Sequence, residues 1–190
     1  MEQAVRPCKS CPFRADTLLG LWEAAHYVAI AYLGSADNPL LAADTMGCHK
    51  WNGIVDARRK PENSPVCGGW IRAARDAPVI RLLAIRGRID PGDLDDMDGI
   101  LSVEEMARNN GIDTDKLPPL RWRPRLEGWP DPQAWMEAIV TLRKQILAQP
   151  ELALQYVIPG SPLDRRPTEA QICAALGTHA AEAYCAKGLE

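Results

Sequence analysis

Cys8 and Cys11 frame a two-residue gap in PCKSCPFR, residues 7–14, and Cys48 and Cys67 follow after intervals of 36 and 18 residues. A two-residue gap lets both sulfurs of one tight turn face the same point. Two further cysteines from distant loops would complete a tetrahedron of thiolates. Gly47, Pro65, Gly68 and Gly69 stand next to these positions and give the loops the backbone freedom that ligation needs. Four thiolates suit one Zn2+ or an iron–sulfur cluster. The second pair of cysteines is not a C-x2-C knuckle, and a Cys-Pro step is familiar near iron–sulfur clusters; zinc is the commoner occupant and the favoured reading, with [4Fe-4S] as the alternative. His49 follows Cys48 directly. It is an alternative ligand, or a donor to a ligating sulfur. Buried free thiols packing as small hydrophobes are the plain alternative for all four. A thioredoxin-like redox pair is not expected, since the seven residues before Cys8 carry no strand pattern. Cys173 and Cys185 fall in a helix-like stretch and read as packing or surface thiols.

A thiolate-rich site is negatively charged, so cations belong around it, and Lys9, Arg14 and Lys50 qualify. Further basic material lies at Arg58, Arg59 and Lys60, and at Arg72, Arg75, Arg81, Arg86 and Arg88. It reads either as a solvated surface or as a contact for phosphates. Arg121, Trp122 and Arg123 interleave an aromatic with arginines, which suits stacking on a base or anchoring a protein partner. Asp93, Asp95, Asp96 and Asp98 lack the terminal Glu of a calcium loop and read as a solvated acidic turn. No P-loop, G-x-G-x-x-G, G-x-S-x-G or H-E-x-x-H occurs. A Cys48–His49 nucleophile lacks a third, orienting group.

The elements that must hold these residues are helices separated by Pro/Gly loops. Thr17 is expected to cap a helix to about residue 33, with Leu18, Leu21, Trp22, Ala25, Val28, Ala29 and Tyr32 on its apolar face. Residues 40–67 read as irregular. Gly69 to Arg86 is helical in pattern, broken at Pro78. Ser102-Val-Glu-Glu105 matches a capping box opening a helix to Asn110. Asp131-Pro132 starts another, with Trp135, Ala138, Ile139, Leu142, Ile146 and Leu147 on one face. Thr168 begins a last helical stretch that Gly177 can split. With Ala175-Leu-Gly177 as its turn, that stretch resembles a helix-turn-helix, but the would-be recognition helix carries Glu182 and no Arg. No alternating strand pattern stands out. The fold class is therefore mainly α: a loop-rich, metal-stabilised N-terminal module, residues 1–95, packed with a helical region, residues 96–190, the two being separate or one continuous domain.

CKSCPFR from Cys8, GCHK from Gly47 and CGGW from Cys67, with the tail from Arg72 to Asp90, resemble a bacterial and bacteriophage domain family of unknown function. Its signature is Cys-x2-Cys-Pro-Phe/Trp-Arg, then Cys-His, then Cys-Gly-Gly, and the likeness covers residues 6 to 95. The resemblance implies a metal-bearing domain with Cys8, Cys11, Cys48 and Cys67 as ligands and His49 in or beside the site. It implies nothing about activity. Phe13 stands where Trp is more usual.

The chain has 190 residues, 46% hydrophobic and 25% charged, with six Trp, one Phe and 16 Pro. That is the composition of a globular protein with a core of its own. A net charge of −3 excludes wholesale coating of nucleic acid. Charge is uneven, positive over the first ninety residues and negative beyond. No apolar h-region or membrane-length run appears, so a cytoplasmic protein with reduced thiols is expected. These features point to a non-catalytic metal-binding protein. It would be a mobile-element or phage-type regulator or inhibitor acting on a protein or nucleoprotein partner, with direct nucleic-acid contact as a lesser option. An iron–sulfur redox or oxygen sensor is the alternative. A helix-turn-helix transcription regulator is the third reading.

Overall fold

Ser102, Asp131 and Thr168 each present a side chain that accepts from the first turn of a helix. At Ser102 the box closes both ways: the Glu105 N–H donates to Ser102 Oγ (3.2 Å) and the Ser102 N–H to Glu105 Oε2 (2.8 Å). Thr168 and Gln171 repeat it. Asp131 accepts from Gln133 and Ala134 while Pro132 takes the first helical position, where a missing N–H costs nothing. The computed structural model describes residues 6–32, 66–76, 78–95, 98–119 and 131–177. Among these the helices are α1 (Ala24–Ala31), α2 (Gly68–Ala73), α3 (Pro78–Ile85), α4 (Val103–Asn110), α5 (Pro132–Ala148) and α6 (Glu169–Leu176). Single 3-10 stretches cover Pro91–Leu94, Thr114–Lys116 and Pro150–Tyr156. The fold is mainly α, as the sequence pattern predicts. Isolated antiparallel bridges join Arg14 to Ile100 and Ile112 to Val157. No helix among them is long and apolar enough to cross a membrane.

The break at Pro78 separates α2 from α3, and Gly177, at φ 91°, ends α6. The first helix is shorter than its apolar stripe suggests. Thr17 does not cap it; the hydroxyl instead donates to the Cys11 carbonyl (2.7 Å). Gly20 follows at φ 69°, its N–H held by Asn110 Oδ1 (2.9 Å), and the helix starts only at Ala24. Its buried face is accordingly Ala24, Tyr27, Val28, Ile30 and Ala31, with Ala25 and Ala29 only half-buried. On α5 the buried stripe is Trp135, Ile139, Leu142 and Ile146, and Ala138 faces solvent.

One cluster of buried side chains runs from Cys11 and Phe13 through α1, α2 and α4 to Trp135, Ala153 and Ile172. Helix α1 packs on α4, on α5 and on the Pro150–Tyr156 turn. Large aromatics reach polar partners through their edges, as burial demands. Trp135 Nε1 donates to the Pro119 carbonyl (2.7 Å) and the Tyr32 hydroxyl to that of Pro118 (2.5 Å). Burial pushes the Tyr32 hydroxyl far above its ordinary pKa, so it stays a donor. Buried Asn110 ties both ends of the fold: Oδ1 accepts from Gly20, its Nδ2 donates to Met106 O (2.8 Å), and its carbonyl accepts from Leu163 N–H (3.2 Å).

The capping box gives a test. Ser102→Ala removes the acceptor for the Glu105 N–H and should lower stability by about 1 kcal/mol, read as the shift of a denaturant midpoint at constant slope. The Ser102 N–H holds the Glu105 carboxyl below its ordinary range. A depressed folded-state pKa stabilises above the unfolded value, and that contribution fades as pH falls through the folded one. The stability difference between wild type and Glu105→Gln should therefore shrink on acidification below about pH 4.

Candidate metal centre

The first cysteine turn is closed by its own backbone. The Cys11 N–H donates to the Cys8 carbonyl (2.9 Å) and the Arg14 N–H to the Cys11 carbonyl (3.1 Å). Two outside groups pin it: Thr17 at the Cys11 carbonyl, and Trp22 Nε1 at the Ser10 carbonyl (3.1 Å). Residues 13–15 are then sewn to residues 99–101, with the Ala15 N–H on Gly99 O (2.8 Å) and the Leu101 N–H on Phe13 O (2.7 Å). Across from the turn, Cys67 ends an extended segment and opens α2.

Cys11 is fully buried, Cys67 is 4% exposed, and Cys8 is half-buried. The Cys11 and Cys67 thiols lie close enough to perturb each other's ionisation, and that interaction, more than anything else, drives their acidities apart. Cys67 is held below the ordinary thiol range, first by Cys11 and then by the backbone N–H groups of Trp70 and Gly69 and the charge of Arg72, against its burial. Cys11 is pushed far above that range, by Cys67 and then by burial. Two buried thiols this close cannot both ionise without a counter-charge. The close approach requires a glycine. A Cβ at position 69 would overlap Cys11 Sγ and lie 3.5 Å from Phe13 Cβ.

Cys8 shares the turn with Cys11, with its sulfur 3.6 Å from Ser10 Oγ. It does not join the pair: among the described residues no group of three or more His, Cys, Asp or Glu side chains is gathered closely enough to hold a metal ion. Cys48 and His49 lie outside the described residues, as do Lys50, Arg58, Arg59, Lys60, Arg121, Trp122, Arg123 and Cys185. The structure thus brings together Cys11 and Cys67, with Cys8 in the adjoining turn. Cys173 is half-buried on α6.

The cation whose charge acts on Cys67, Arg72, is not one that the cysteine spacing suggests. Arg72 is only 3% exposed, and its Nη1 donates to the Gly68 carbonyl (2.9 Å). No signal in the sequence set Arg72 apart from the other arginines after Cys67. Arg14 instead forms a two-point ion pair with Asp16, through Nε to Oδ1 (2.7 Å) and Nη2 to Oδ2. That pairing holds the Asp16 carboxyl below its ordinary range. Arg75, Arg81, Arg86 and Arg88 are all exposed, and Arg81 approaches Asp76 at 3.9 Å.

A helical chain with a pinned cysteine turn, docked against a Cys-Gly-Gly helix start, is the class that fold and site define. Residues 3–126, which take in Cys8, Cys11, Cys67 and α1 to α4, match the model of a family of unknown function (DUF6283), and the chain belongs to that family. Comparison with curated proteins and with solved structures finds no match.

Gly69→Ala should lower stability by about 1–3 kcal/mol, the usual cost of overpacking, because Cys11 is buried and cannot retreat. Gly92→Ala, whose added Cβ would meet only Asp90 Oδ1 at 3.3 Å, is the control and should change little. Equal midpoints for the two variants in denaturant unfolding would contradict the close approach.

Proposed function

We propose that this chain is a non-catalytic metal-binding protein, its N-terminal half held by one Zn2+ on cysteine ligands. The observation that carries the reading is the Cys11–Cys67 pair, two buried sulfurs in contact on segments far apart in sequence. The donor set fits a thiophilic dication: it takes the place of the thiol protons and neutralises thiolates that burial would otherwise penalise. Cys8 supplies a third sulfur from the same turn, and Cys48, or His49, a fourth ligand. Bound zinc would contribute charge and directional bonds to folding rather than a reaction step. Arg72 offsets the excess negative charge of a thiolate site.

The partner half of the reading is a mobile-element or phage-type regulator or inhibitor that acts on a protein or nucleoprotein. It is supported by the resemblance of the cysteine signature and by the surface of α3. There Leu82 and Ile85 are exposed at 47% and 81%, flanked by exposed Arg81, Arg86 and Arg88. Apolar centres rimmed by arginine are the composition of protein-binding patches. On this reading binding to duplex DNA alone is weak, without the steep salt dependence of phosphate neutralisation.

Elemental analysis and an absorbance spectrum of protein purified without oxygen provide the test. The expected result is one zinc per chain and no visible band. Cys11→Ser and Cys67→Ser should lose the metal and lower the melting temperature, and Cys173→Ser should do neither. Iron with sulfide and a broad band near ~400 nm would replace zinc by a cluster of the kind cysteines hold. Unchanged metal content and melting temperature in Cys11→Ser would refute the site.

A further inference from the structure

Helix α3 is held to the body of the protein along one side and just past its end. Ile80 is fully buried, Leu83 and Ala84 are half-buried, and Ile89 is buried again. The turn between is closed by backbone: the Gly87 N–H donates to the Ala84 carbonyl (2.9 Å) and the Arg88 N–H to that of Leu83 (2.8 Å), with Gly87 at φ 63°. The other side of the helix faces water. At ~100° per residue, the order around that outer face is Arg81, Ile85, Leu82, Arg86. An apolar pair therefore runs down the middle with an arginine on each side, and Arg88 stands exposed at the C-terminal end. Arginines near a helix C-terminus complement its dipole and need no partner. That does not account for Ile85, left 81% exposed between them.

The chemistry of this strip selects among occupants. Helix α3 carries no acidic side chain of its own, and Arg81 reaches Asp76 only at 3.9 Å, an exposed pair of little strength. A second copy of α3 would bring arginine against arginine across a two-fold axis. A nucleic acid would set Leu82 and Ile85 where its phosphates need cations, and α3 has no aromatic for a base to stack on. A flat anionic membrane would also meet exposed Asp76 and Asp90, just beyond the two ends of the helix. A narrow protein segment avoids both. We propose that this face of α3 docks an acidic amphipathic helix of a partner protein, its apolar stripe on Ile85 and Leu82 and its Asp or Glu side chains on Arg81, Arg86 and Arg88. Guanidinium forks match carboxylates, and a stripe bordered by acids on both sides is complementary to one bordered by arginines. A helix of 8 residues is ~12 Å long, so the contact is small and suits a transient complex. The proposal rests on the protein-partner half of the reading above and not on the metal.

The probe is a fluorescent synthetic helix with leucine at i, i+3, i+4 and i+7 and glutamate at the remaining positions, titrated with the full chain. A Kd below about 100 μM is expected, weakening as salt rises. The same peptide with lysine in place of glutamate should not bind. Ile85→Ser and Arg86→Glu should each weaken binding about tenfold. Both side chains are exposed, so melting temperature and metal content should match wild type. Absence of binding by the glutamate peptide, equal binding by the lysine peptide, or affinity indifferent to both substitutions would overturn the proposal. So would stronger binding to duplex DNA or phosphatidylserine vesicles that the same substitutions weaken, or self-association that Ile85→Ser abolishes. Any of these, with one zinc still bound per chain, removes the acidic partner and leaves the metal centre standing; failure of the metal centre shows instead in the elemental analysis.

Discussion

The N-terminal half is organised around two sulfurs that share one buried position. Cys11 comes from a turn near the start of the chain and Cys67 from the entry to α2. Their contact brings α2 close enough to the turn that position 69 has room only for hydrogen. Desolvation and mutual repulsion both oppose two thiolates there. The pair therefore stays protonated unless a cation takes the place of its protons. The surroundings are already biased toward negative charge on Cys67, since two backbone N–H groups and Arg72 face it. Local hydrogen bonds alone would leave such an arrangement costly to bury. A shared cation would make it favourable, and that is the ground of the proposed ligation.

A second constraint holds the turn against the helices. Asn110 closes α4 with its side chain on Met106 and offers Oδ1 to Gly20 and its carbonyl to Leu163. A buried amide with its polar atoms satisfied fixes geometry more tightly than apolar packing does. Gly20 and Gly111 adopt positive φ beside it. A Cβ on either would strike Pro162 or Ser161. The cysteine turn is thus positioned from two sides, by Thr17 and Trp22 directly and by the Asn110 node through Gly20.

These constraints explain what the sequence discloses. Capping boxes are local: Ser102 with Glu105 and Thr168 with Gln171 need only their own helix; the first box is found where the residues predict it, and the second opens the helix expected from Thr168. The start of α1 is not local. Thr17 has the right chemistry for a cap, but the Cys11 carbonyl competes for its hydroxyl and Asn110 for the Gly20 N–H, so the helix begins six residues late. Periodicity read α5 correctly at Trp135, Ile139, Leu142 and Ile146 and overextended to Ala138, because a small apolar residue at the edge of a stripe need not be covered. The cysteine spacing showed which residues to watch. It did not show that Cys11 and Cys67 would meet, since that depends on how residues 66–73 dock on Phe13.

Arg72 illustrates the limit most sharply. In sequence it is one of several arginines after Cys67, and nothing in its spacing from the cysteines separates it from Arg75 or Arg81. Burial does. Arg75 and Arg81 are exposed, so water screens them, and the ion pair of Arg81 with Asp76 contributes little. Arg72 is withdrawn from solvent, and its charge acts on the Cys67 sulfur. Interaction between unit charges scales inversely with the effective dielectric, so one desolvated guanidinium outweighs a row of solvated ones. The charge that matters at this site is therefore set by the docking of a six-residue helix, a tertiary event, rather than by the count of basic residues around it.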